Sequence, residues 1–119
     1  MANEITVVAQ LQLLNGLQSN LIETGVANFD QAAQGAASGV QEIGTSEETL
    51  SSGDLTNKGW LFLRNIDDTN YVQLGFATGV YGARLEPAEV AIFRTEPAAT
   101  VYLKADTAAC NVQYLWLED

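Results

Sequence analysis

The residues of this chain whose types could do chemistry are its carboxylate doublets, Glu47-Glu48, Asp67-Asp68 and Glu118-Asp119. A pair of carboxylates can divide general acid and general base work on a glycosidic bond. Neighbours on a strand, however, point to opposite faces of the sheet. Adjacent doublets are therefore poorly placed to flank one bond, and a solvated rim accounts for them better. Asn65, Asp67 and Thr69 place oxygen-bearing side chains at alternate positions, as at the start of a calcium loop. The glycine and the distal glutamate such a loop needs are missing, and Asp and Asn also favour tight turns through local hydrogen bonds. Cys110 is the single cysteine and no histidine exists to activate it, so a buried, inert thiol is expected. Gly75, Gly79 and Gly82 lack phosphate-loop spacing. No catalytic, cofactor-binding or metal-ligating set emerges, and a non-enzyme is expected.

The charge balance narrows the partners. Fifteen acids face five bases, a net charge of −10, and no Lys or Arg precedes Lys58. Phosphate neutralisation needs Lys or Arg, so nucleic acid and anionic membranes are excluded as expected partners. A basic protein surface is compatible with the acidic N-terminal half. The chain lacks a basic stretch ahead of an apolar run at its start, with Glu4 in that place, and no run reaches the length of a membrane span. Synthesis in a cytosol is expected.

The elements that must position these residues read as β throughout. Residues 3–14 alternate, with Ile5, Val7, Ala9, Leu11 and Leu13 on one face. Asn15-Gly16 signals a hairpin, and residues 17–24 are expected to return as its second strand. Residues 25–44 are rich in Gly, Ala, Ser and Gln; extended segments are expected, with a strand over 38–44. Thr45 to Glu48 matches a capping box, though the segment behind it suits only a turn or one helical turn. From Lys58 onward turn signals recur every eight to twelve residues, and a β-meander is expected. Its strands are 59–65, 70–77, 83–85, 89–95, 99–105 and 109–117. Pro87 and Pro97 fall in turns, where pairing loses no donor. Residues 59–65 are apolar on both faces at Trp60, Leu61, Phe62 and Leu63. Tyr71, Tyr81 and Tyr102 adjoin turns and are candidates for exposed rings. The fold expected is an all-β antiparallel sandwich, jelly-roll or Ig-like, forming one domain over residues 1–119, with residues 1–24 as an N-terminal arm or first hairpin.

Three segments carry a resemblance. GWLFLRNIDDTNYVQLGF (59–76), ARLEPAEVAIFRT (83–95) and VYLKADTAACNVQYLWLED (101–119) are similar to the C-terminal half of small virion structural proteins of tailed bacteriophages. Those proteins share an N-x-D-x-T-N-Y-V-Q-x-G hairpin, an L-x-P-x-E-V-A turn and strand, and a last strand ending near Leu-Glu-Asp. GAASGVQEIGTSEETL (35–50) is also similar to this group. The resemblance covers mainly residues 59–119. Its motifs are packing and turn elements with no catalytic residue to carry over.

Within that class the resemblance is closest to a capsid decoration, or cement, protein. It implies a non-catalytic virion protein that binds the major capsid protein lattice, assembles with itself as a trimer, and is made in the host bacterial cytoplasm. The residues expected to make contact are Ile5, Val7 and Leu11 in the first strand and Glu47 and Glu48 in the acidic loop. The alternative is a neck, tail or spike component with a carbohydrate-binding role. Exposed Tyr81 or Tyr102, or calcium at Asp67 and Asp68, would serve that alternative.

Overall fold

The computed structural model describes residues 2–16 and 18–119, and all regular structure among them is β. The chain divides into two compact units, 1–33 and 34–119. The first holds strands β1 (Ile5–Asn15) and β2 (Gln18–Phe29), paired as a two-stranded antiparallel ribbon. The second holds β3 (Ala36–Ile43), β4 (Glu48–Thr49), β5 (Lys58–Asn65), β6 (Val72–Gly75), β7 (Ala83–Leu85), β8 (Val90–Arg94), β9 (Tyr102–Ala105) and β10 (Cys110–Glu118).

These eight strands form two four-stranded antiparallel sheets, ordered β3-β10-β5-β8 and β4-β9-β6-β7. Pairing is nested. The first strand of the unit pairs with the last, β4 with β9, β5 with β8, and β6 with β7. That nesting is the jelly-roll arrangement. The sandwich expectation therefore holds, and of its two forms the jelly roll is the one built.

The expected meander is not. After β5 the chain crosses to the other sheet, and β6 pairs with β7 and β9 rather than back on β5. The N-x-D-x-T-N segment is thus a corner between sheets, not a hairpin. Its cause is Asn65, which is fully buried. The Asn65 amide donates to the carbonyls of Asn70, at 2.9 Å, and Leu85, at 3.0 Å. Its Oδ1 accepts from the Asp67 amide at 3.0 Å. Asp67 then accepts from the Thr69 amide at 2.9 Å and the Asn70 amide at 2.6 Å. These bonds turn the chain before a partner strand can fold back.

Alternation puts the core between the sheets. Ile43, Leu61, Leu63, Val112, Tyr114 and Trp116 from one sheet meet Val72, Leu74, Leu85, Leu103 and Ala105 from the other. Trp116 keeps its ring nitrogen satisfied inside, donating to Thr95 Oγ1 at 3.1 Å. Gly75 is required by close approach: a Cβ there would stand 1.8 Å from the Val80 carbonyl oxygen.

Residues 45–48 form no helical turn. Glu48 and Thr49 pair instead with Leu103 and Tyr102. The expected capping box does not form: Glu48 Oε2 accepts from the Gly44 amide, at 2.5 Å, and not from that of Thr45. The arm is longer than the expected 1–24, because β2 continues to Phe29 through residues where periodicity is weak. The sandwich occupies 34–119, and 1–33 is a unit of its own. Leu17, the expected first residue of the returning strand, lies outside the described residues.

Candidate interaction surface

The ionisable side chains hold turns. Glu47 accepts from the Tyr81 hydroxyl at 2.5 Å and the Gly79 amide at 2.7 Å. Those bonds, the tyrosine's first, hold its pKa below the ordinary 4.5. The same hydrogen bond pushes Tyr81 up to about 12. The Asn70 amide, then that of Thr69, holds Asp67 below its ordinary 3.8. Glu118 accepts from the Asn57 amide at 3.0 Å and from the Thr56 amide and hydroxyl at 3.1 and 2.7 Å, and is lowered in the same way. Burial, helped by the charges of Asp67 and Asp106, raises the Cys110 thiol. Among the described residues no three His, Cys, Asp or Glu side chains gather as metal ligands. The arrangement fixes loops.

Of the doublets, Asp67-Asp68 lie in the corner, and Glu47 and Asp119 lie just outside β4 and β10. Glu118 turns inward, while Asp119 pairs with Arg94 at 2.8 Å. Tyr71 lies under the Arg84 guanidinium, 4.6 Å from ring centre to carbon, and Tyr102 is half-buried in β9. An open groove of about 500 Å³ runs beside Asp54, Tyr114 and Glu118. Glu118 faces it with an oxygen already engaged by Thr56 and Asn57.

A large uncovered apolar surface lies on the ribbon. Its register decides which side chains share a face. Ile5 opposes Phe29, Val7 opposes Ala27, and Leu11 opposes Ile22. Between Val8 and Gln10 the register shifts by one residue of β2. Gly25 sits in this bulge at φ +63°, where a side chain would be strained. The shift has a chemical consequence. Without it Leu11 would oppose Glu23; with it Leu11 meets Ile22, and Glu23 joins Gln10 on the other face. One face of the ribbon, through Val7, Ala9, Leu11, Leu13 and Ile22, is therefore free of charge. Leu11 is 80% and Ile22 78% exposed.

The sequence-predicted contact residues fall in three kinds of place. Leu11 is on this open face. Val7 shares the face but is half-buried, and Ile5 is buried at its base. Glu47 and Glu48 are in the sandwich unit, where their carboxylates accept the internal bonds given above. Leu13 and Ile22 also lie on the open face and were not among the expected contact residues. Leu13 was legible from alternation, whereas Ile22 depends on the bulge.

No protein-family model matches this chain, and no curated protein or solved structure matches it.

Proposed function

We propose that this chain is a non-catalytic structural protein of a bacteriophage virion, a decoration or cement protein that binds the assembled capsid shell and stabilises it. The observation that carries this is the charge-free ribbon face with Leu11 and Ile22 set opposite one another and exposed. An isolated two-stranded ribbon is at best marginally stable in water. Apolar cross-strand pairs such as this gain their stabilisation when a partner covers them. The resemblance of residues 59–119 to small phage virion proteins supplies the class of partner.

The mechanism is mass action. A ligand that binds the assembled shell and not its free subunits stabilises the shell in proportion to its occupancy. The ribbon contributes apolar area, and its outer edges can add main-chain hydrogen bonds to a neighbouring strand. A neck, tail or spike component binding carbohydrate would use tyrosine rings and the Asp67 carboxylate. Tyr81, Tyr71 and Asp67 are engaged with Glu47, Arg84, Thr69 and Asn70, which leaves Tyr102 for that role, so the shell is preferred.

The test is co-sedimentation of the full chain with purified, expanded shells. The wild-type chain is expected to pellet with shells to a saturating ratio and to raise their melting temperature. A Leu11→Asp, Ile22→Asp chain is expected to stay in the supernatant. Equal pelleting of the variant, or none by the wild type, would contradict the proposal.

A further inference from the structure

The ribbon and the sandwich each carry a second apolar face that the shell contact leaves unused. In an antiparallel sandwich the outward face of a sheet is ordinarily solvated and polar. The β3-β10-β5-β8 sheet departs from this. Its register sets Ser38, Leu115, Phe62 and Ile92 in one row across all four strands. The next row is Val40, Gln113, Arg64 and Val90. Leu115 is 42% and Val40 57% exposed, in positions where a lone sandwich would show polar side chains. This face carries two of the five bases, Arg64 and Arg94, with Glu42 on the same face one row beyond Val40 and Gln113. Arg94 is held by Asp119. Arg64 is exposed and makes no ion pair among the described residues.

The other face of the ribbon has the opposite character. Val8 opposes Val26, Leu21 opposes Gln12, and Leu14 opposes Ser19, so its hydrophobic side chains run the length of the ladder. Glu23 stands among them opposite Gln10, and no basic residue occurs anywhere before Lys58. The ribbon face is apolar with an acid at its middle; the sheet face is apolar around Arg64, with Glu42 out on the edge strand.

We propose that this face of the ribbon docks on the outward face of the β3-β10-β5-β8 sheet of a second copy of the chain, with Glu23 set against Arg64. The partner is a copy because one chain carries both halves of the match in hydrophobicity and in charge. A net charge of −10 opposes contact between copies elsewhere, and the contact is made where a base meets an acid. The two patches differ, so the contact is head-to-tail and closes into a ring when the rotation permits. This assignment rests on the reading of the chain as an assembling structural protein. It also accounts for a ribbon apolar on both sides: one side faces a neighbouring copy and the other faces the shell.

Native mass spectrometry of the full chain without shells tests the contact. The wild type is expected as a closed oligomer at micromolar concentration. Arg64→Glu and Glu23→Lys, each placing like charges together, are expected to raise the concentration needed for assembly about tenfold. Both changes in one chain are expected to restore assembly. Leu115→Asp is expected to leave monomers. Positions 64 and 23 are exposed, and near-ultraviolet circular dichroism of the two tryptophans reports whether each variant keeps its core. A monomeric wild type overturns the proposal. So does an Arg64→Glu chain that assembles normally, or a double variant that fails to recover. A monomer that still coats shells would sink this contact and spare the shell reading; a ring that ignores shells would do the reverse.

Discussion

Asn65 concentrates more of the fold than any catalytic-looking group does. Its side chain joins the β5 end, the corner at Asn70 and the end of β7 from a fully buried position. Asn65→Ala leaves the carbonyls of Asn70 and Leu85 and the Asp67 amide without that partner. A loss of about 2–4 kcal/mol is expected, read from urea unfolding followed by tryptophan fluorescence. Gly75→Ala should cost about 1–3 kcal/mol by the same assay, because the Val80 backbone must move. The titrating groups predict the shape of stability against pH. Glu118, Glu47 and Asp67 have folded pKa values below their ordinary 4.5, 4.5 and 3.8. Their contribution is whole above those ordinary values and is lost as pH falls through the lower folded ones. Tyr81 works at the other end: its contribution is whole below pH 10 and is lost as pH rises toward about 12. Melting temperature should therefore fall at both extremes. Glu118→Gln should flatten the acid limb and Tyr81→Phe the alkaline one, and limbs unchanged in these variants would contradict the assignment.

At the scale of elements, the ribbon and the sandwich differ in what covers them. The sandwich strands bury alternate residues between two sheets, while the ribbon has no third strand. Amide exchange in the free monomer should thus be fast in β1 and β2 and slow in β5 and β10. Assembly should slow exchange in the ribbon by at least about tenfold, and an unchanged ribbon would argue against its burial in any partner. Alternation made β1, β5 and β10 readable from sequence, since period two follows directly from the pleat. The apolar second face of β5 was also visible at Trp60 and Phe62. Strand partnership was not. The corner at residues 65–70 has the same residue types as a hairpin turn, and only the burial of Asn65 separates the two. In the Gly- and Ala-rich stretch, β3 gains its order from eight residue pairs with β10, which local pattern does not express. The Gly25 bulge likewise reads as a plain glycine until register shows that it moves Glu23 off the face of Leu11.

For the whole molecule, a jelly roll, an arm apolar on both sides and a large negative charge are the features behind the proposed assembly. In that proposal the charge keeps free copies apart, and complementary patches bring them together at chosen places. The acids are already ionised at neutral pH, and protonating them toward the sequence pI of about 4.1 weakens the first effect, so oligomers should form more readily at pH 5 than at pH 7 in low salt. Light scattering at the two values reads this directly, and weaker assembly at pH 5 would speak against the charge argument. The most direct measurement of the central claim is the copy number of this chain in purified virus particles, by quantitative mass spectrometry against the major capsid protein. A lattice-covering protein requires a ratio near one to one or a simple fraction of it. A handful of copies per particle, or none, would contradict the account.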